Sequence, residues 1–348
     1  MKPAAMASTS ETSAASNTTY PQYLPNVPYG SQKSPLNTLD IFLPHSSPPD
    51  HDKSAIWVLF IHGGAWRDPT QTSTEILPLL NYLYKSPSSI PDLPNPCPPA
   101  PSLPDPAQRR TYEDDGVDIR PYIAGFASLN YRLSPDVKHP EHIRDVSDAI
   151  AHLVREYGVG RDVQFVLLGH SCGATLAAQY VSGLGLDRAR QQDRVHPIAL
   201  GLLAGIFDLG AFVARHADSP VYRDIVEGAF GRDEREWLEA SPMQGMYGWE
   251  EGKVVLVGWS REDGLVEDAQ SEEFVEKLAR EQWARKEGSG SKKIAHTEGK
   301  RRHVGEWVGR EVVSWPMEGE HDGLWGDGRQ LAWVVQELVL RTVTRRCV

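Results

Sequence analysis

The 348-residue chain is 40% hydrophobic and 24% charged, ordinary proportions for a globular protein with room for one large α/β domain or two small ones. A net charge of −11 argues against partners that need a positive surface, nucleic acid above all. No apolar run approaches the roughly 20 residues that cross a bilayer, and Cys97, Cys172 and Cys347 are too scattered for a disulfide framework or metal-ligand spacing.

Residues 1–19 carry almost no large apolar side chains, so residues 1–36 are expected to be a disordered or extended N-terminal segment before a single domain over 37–348. The start of the chain is rich in Ser, Thr and Ala and has neither the apolar core of a signal peptide nor the arginines of a transit peptide, which points to the cytosol. Thr38 to Leu43 alternates as a strand does and stops at Pro44. Ile56 to Ile61 is fully apolar, the pattern of a buried parallel strand, and runs into His62-Gly63-Gly64-Ala65-Trp66. A helix is predicted from about Ser73 to Lys85.

From Ser86 to about Asp118 the chain has nine prolines between Pro87 and Pro106, which break helices and withhold ladder donors. This stretch reads as a surface insertion of polyproline character. Ile123 to Tyr131 is the next buried strand. Pro140 to Tyr157 follows as an amphipathic helix stopped by Gly158. Val163 to Gly169 is an apolar run, and a small-residue helix begins after Ser171 and runs to about Ser182. A serine between two glycines at such a strand-to-helix junction has the form of a nucleophile elbow, G-x-S-x-G. A serine that merely caps the helix is the competing structural reading.

Ile198 to Phe207 is a further strand ending at Asp208, and residues 211–250 are charged, Trp-containing and helical, a candidate lid. Lys253 to Gly258 is followed by Ser260-Arg261-Glu262-Asp263 and a helix from about Ala269 to Arg285. Gly288 to Arg302 is a basic loop, Glu311 to Trp315 the last short strand, and Arg329 to about Arg341 the closing helix. Strands alternating with helices predict a mostly parallel twisted sheet covered on both faces.

In a parallel sheet the loops after the carboxyl ends of strands gather at one edge. The glycine stretch 62–66, Ser171, Asp263 and His321 all lie on such loops. A serine hydroxyl needs a base to take its proton, and a developing oxyanion needs rigid N–H donors. His321 is chosen as the base over His62 and His170, because Ser, then acid, then His is the chain order of α/β-hydrolases. Asp263 is preferred as the acid; Glu262 beside it, Asp208 and Asp322 are the alternatives. The oxyanion donors are expected from Gly64 or Ala65, with Gly63, and from the N–H of Cys172, whose thiol is not required. No pair of histidines shares ligand spacing with a carboxylate, so neither a metal nor a cofactor is expected.

Seven stretches together resemble a known family: Asn37 to Pro44, His62 to Trp66, Asn130-Tyr131-Arg132-Leu133, Gly169-His170-Ser171-Cys172-Gly173-Ala174, Gly205-Ile206-Phe207-Asp208, the Asp263 loop and the His321 loop. The chain resembles the α/β-hydrolases near hormone-sensitive lipase and, within them, the serine-type kynurenine formamidases (arylformamidases) in their fungal form. The Ala-Trp after the paired glycines, where lipase relatives often carry a third glycine, favours the formamidases. The Pro-rich insertion and the basic loop depart from a compact version of the pattern. The resemblance implies hydrolysis of N-formyl-L-kynurenine to L-kynurenine and formate, in tryptophan breakdown toward NAD. It also implies a metal-free homodimer with Ser171 as nucleophile, Asp263 as acid and His321 as base. A general carboxylesterase using the same triad is the alternative, and a non-enzymatic binding protein on the same scaffold a more distant one.

Overall fold

A nine-stranded sheet forms the centre of the computed structural model, which describes residues 20–30, 34–45, 55–84, 118–288 and 309–343. In chain order its strands are β1 (Gln22–Pro28), β2 (Thr38–Leu43), β3 (Ile56–Ile61), β4 (Ile123–Leu129), β5 (Gln164–His170), β6 (Ala199–Leu203), β7 (Val254–Ser260), β8 (Ala284–Glu287) and β9 (Glu311–Met317). Their spatial order is β1-β2-β4-β3-β5-β6-β7-β9-β8. β2 is antiparallel to β1 and β4, and every other pair is parallel. The expected mostly parallel α/β architecture is therefore present.

The helices are α1 (Leu77–Leu83), α2 (Glu141–Tyr157), α3 (Cys172–Ser182), α4 (Arg188–Asp193), α5 (Leu209–Arg215), α6 (Pro220–Phe230), α7 (Glu234–Ala240), α8 (Asp268–Arg280), α9 (Gly323–Gly326) and α10 (Arg329–Val343). Alternation along the strands feeds two cores. Trp57, Leu59 and Ile61 of β3 belong to the core that also takes side chains of α2, α3 and α8, while Ile56, Val58 and Phe60 belong to the one that takes those of α1 and α10. A strand buried on both faces must be apolar at every position, which is why β3 reads as one continuous run.

The parallel registers align the carboxyl ends of the strands: Ile61 of β3 pairs with Gly169, His170 of β5 with Leu203, and Leu203 of β6 with Gly258. The loops after β3, β5, β6, β7 and β9 therefore open at one edge of the sheet, the rim at which the chemical groups gather.

Several boundaries differ from the sequence reading. Residues 22–28, inside the segment expected to be disordered or extended, form β1, held by Tyr23 Oη donating to Asp40 at 2.5 Å and Asn26 N–H donating to the same carboxylate at 2.8 Å. The helix expected to Arg285 ends at Arg280, and Ala284–Glu287 adds a short edge strand. All four residues of β8 are exposed and three are charged, so no apolar alternation marks it, and such an edge resists pairing with another chain. The helix predicted from Ser73 begins as a 3-10 turn, Ser73–Ile76, before α1. Within 211–250 the chain is helical, as expected, in α5, α6, α7 and a 3-10 turn at Pro242–Gln244. The Pro-rich insertion, apart from its final residue, and nearly all of the basic loop lie outside the described residues. Among those described, no helix is long and apolar enough to cross a membrane.

Candidate active site

Ser171 follows β5 with φ 54° and ψ −126°, a conformation that L-residues rarely adopt, and its side chain makes no capping hydrogen bond to α3. The helix-cap reading of this serine therefore does not hold. The glycines on either side are required by close approach. A Cβ on Gly169 would lie 2.2 Å from the carbonyl oxygen of Gly173, and one on Gly173 would lie 2.2 Å from that of Ile61. The sharp turn lifts the Ser171 hydroxyl off the helix axis at the rim.

The loop after β3 carries its own strain: Gly64, Ala65 and Trp66 have φ of 94°, 49° and 58°. Its carbonyls are turned inward. Tyr131 Oη donates to Gly63 O at 2.9 Å, the His62 ring bonds Gly63 O through Nδ1 at 2.9 Å and stacks on Tyr131, and Gly64 O accepts from Arg67 and Asp68. Burial lowers the His62 pKa to about 4, so its ring is neutral and serves the loop rather than proton transfer. Two amides of the loop are already used. Gly63 N–H donates to Glu75 Oε2 at 3.3 Å, and Trp66 N–H faces Cys172 Sγ at 3.3 Å. Gly64 N–H and Cys172 N–H have no protein acceptor among the described residues. These two are the available donors for an oxyanion, with Ala65 N–H leaning on the Cys172 sulfur. Burial pushes the Cys172 thiol up to about 11, which leaves it an inert acceptor. The Trp66 ring is fully enclosed and meets Phe230 of α6 edge-on at 4.9 Å.

His321 lies after β9, nearly buried, and its Nδ1–H donates to Asp263 Oδ2 at 2.7 Å. Asp263 is itself fixed by a turn in which its Oδ1 accepts from the N–H groups of Leu265 and Val266 at 2.8 and 3.0 Å. Burial alone would raise this carboxyl; the His321 hydrogen bond and charge, with those two amides, outweigh it and hold it below the usual range. None of the alternative acids bonds the His321 ring. Glu262 is exposed, Asp208 caps α5 by accepting from Ala211 N–H at 2.9 Å, and the exposed Asp322 carboxylate, though close to the two histidines, has Gln71 at 3.4 Å as its side-chain hydrogen-bond partner among the described residues. The Ser171 hydroxyl and the His321 ring share no hydrogen bond; resting enzymes often leave this contact long until substrate closes it. His321 stays beside the elbow because its ring lies 4.6 Å from that of His170, the residue before Ser171.

Pattern reading passed over Glu75 and weighed His170 only as a rival base. His170 is fully buried, its Nε2–H donates to His321 O at 3.1 Å, and its Nδ1 stands 4.0 Å from Glu75 Oε2. Burial holds His170 well below its ordinary value, so it is neutral and its tautomer is set by that bond. No sequence signal marked Glu75: it stands between polar Gln71-Thr72-Ser73-Thr74 and the apolar run that begins at Ile76, where a carboxylate reads as an ordinary residue of a helix's first turn. His170, His321 and Asp322 bring ligand atoms within 4.8 Å of one another, the grouping among the described residues nearest to a metal site. The bonds to His321 O and to Asp263 already occupy one ring nitrogen of each histidine.

Residues 124–278 match the family described as alpha/beta hydrolase fold. The kynurenine formamidase-like hydrolase fscH of Fusarium equiseti is 28% identical over 91% of this chain and 95% of its own length. The kynurenine formamidase avaC of Aspergillus versicolor is 28% identical over 73% of this chain and 87% of its own. The kynurenine formamidase of Meyerozyma guilliermondii is 32% identical over 62% of this chain and 68% of its own. Among solved structures, esterase B from Lactobacillus rhamnosis superposes with a TM-score of 0.59 at 13% identity, over 94% of this chain and 86% of that one, a likeness of fold alone.

Proposed function

The chain belongs to the kynurenine formamidase family of α/β-hydrolases, and on that premise we propose that it hydrolyses N-formyl-L-kynurenine to L-kynurenine and formate through Ser171, His321 and Asp263. The observation that carries the reading is the 2.7 Å bond between His321 and Asp263 beside a strained, uncapped Ser171 at the same sheet edge. In this mechanism His321 Nε2 takes the Ser171 proton as the oxygen attacks the formyl carbon. Gly64 and Cys172 N–H hold the oxyanion. Collapse expels the arylamine, protonated by His321, and leaves formyl-Ser171. The same histidine then activates water, which releases formate. Asp263 keeps the proton on Nδ1, presents Nε2 to the serine and stabilises the imidazolium.

The place of this step in tryptophan breakdown toward NAD, the cytosolic setting and a homodimeric assembly belong to the same reading. Formate release from N-formyl-L-kynurenine by the purified chain tests it, measured beside p-nitrophenyl butyrate. Turnover of the formamide that disappears in Ser171→Ala is the expected result. Preference for the butyryl ester would instead assign the chain to general carboxylesterases.

A further inference from the structure

Glu75 is 3% exposed and lies beneath the oxyanion loop. Its Oε2 accepts from Gly63 N–H at 3.3 Å, while its Oε1 has no hydrogen-bond partner among the described residues. On the far side, His170 Nδ1 is also without a partner, 4.0 Å from that same carboxyl, and His170 Nε2–H holds the backbone oxygen of His321. The chemistry of the two groups is complementary. Burial pushes Glu75 well above the usual carboxylate range, with Asp322 and Asp68 adding to it, so the group is a neutral acid with one O–H to donate. A neutral His170 protonated at Nε2 presents a lone pair at Nδ1 toward that group, across 4.0 Å, a separation longer than a formed hydrogen bond. Gly63 leaves the space for this: a Cβ there would lie 2.9 Å from His170 Nδ1.

We propose that Glu75 is a positioning residue that, through Gly63 N–H on one side and His170 on the other, holds the oxyanion loop and the His321 loop in one register. The proposal rests on the reading that Ser171 and His321 perform the hydrolysis. Glu75 touches no reacting atom; it acts through the loop backbone, whose displacement by an ångström can cost about 10²-fold in rate.

The test compares the full chain with Glu75→Gln and Glu75→Met. Gln keeps an acceptor for Gly63 and a donor for His170, whereas Met keeps only the volume. In Glu75→Met, kcat for formate release is expected to fall about 10- to 100-fold with KM within about threefold. The affinity for a trifluoromethyl ketone, whose tetrahedral oxyanion occupies the same hole, is expected to fall by the factor lost from kcat. Glu75→Gln is expected to restore both to within about threefold of wild type. A folded Glu75→Met with unchanged kcat overturns the proposal, as does equal impairment in both variants. Infrared difference spectra on adding a serine-reactive phosphonate to wild type do not depend on the Met variant folding. A protonated-carboxyl band that shifts on addition and is missing in Glu75→Gln supports the assignment, and no such band overturns it. A wild type inert to the phosphonate removes the hydrolase reading and this proposal with it, whereas equal reactivity of wild type and Glu75→Met removes the positioning role alone.

Discussion

Asp263 and Glu262 are chemically near-identical neighbours, yet only Asp263 has its carboxylate on the His321 ring and two backbone amides to hold it there. Asp263→Asn is therefore expected to lower kcat by about 10⁴-fold by analogy with the serine-protease triad, while Glu262→Gln stays near wild type. Comparable losses in the two variants, measured as formate release, would return the acid to an open question. The elbow glycines make a separate prediction. In Gly173→Ala the new methyl meets the carbonyls of Ile61 and His62 at 2.2 and 2.4 Å, and those backbone atoms belong to β3 and its loop. Overpacking of this kind typically costs about 1–3 kcal/mol, so the variant should melt several degrees lower and lose activity. A melting temperature equal to wild type would mean that the elbow has room the geometry does not show.

Among the elements, α6 is joined to the oxyanion loop through Phe230, which meets Trp66 edge-on and lies beside the ring of His139, and Ala229 O accepts from His139 N–H at 2.7 Å. Trp66 is therefore a buried strut between the loop after β3 and α6. Phe230→Ala should cost roughly 3–5 kcal/mol in stability and free the loop that carries Gly64. Chemical denaturation of the variant checks the first effect and its kcat the second; a destabilised protein with full kcat would show that α6 does not support the loop. The same scale shows why β1 and β8 escaped pattern reading. β1 is held by bonds from Tyr23 and Asn26 to one carboxylate of β2, and β8 is a charged edge strand whose register comes from β9. Neither carries the apolar alternation by which strands are recognised.

For the molecule as a whole, buried titratable groups link stability to pH. His62, His142 and His170 are fully buried, and burial lowers them to about 4, about 3 and well below 6.5 respectively. Between about pH 4.3 and 6.5 the unfolded chain binds protons at these three positions that the folded chain refuses, so stability falls as pH falls. Glu75 runs the other way, because its raised folded value keeps a proton that the unfolded chain gives up above about 4.3. The histidines outnumber the glutamate, so the net effect is a loss of stability as pH falls through this window. Calorimetric melting from pH 7 to 5 should show a steep decline, made steeper in Glu75→Gln, which removes the opposing proton. A flat profile would mean that the three histidines titrate normally in the fold.

By itself the amino-acid sequence determined the alternation of strands and helices, the elbow around Ser171, the glycine loop after β3 and the order in which Ser171, Asp263 and His321 occur. Those features depend on near neighbours: an apolar run, a glycine where a Cβ cannot fit, a break after a strand. Tertiary structure alone decided which carboxylate meets His321 across 58 positions, that Gly63 N–H is spent on Glu75, and that His170 bonds the backbone of His321 across 151. A hydrogen bond needs its partners within about 3 Å, and between distant residues only the packing of the strands and loops that carry them sets that distance.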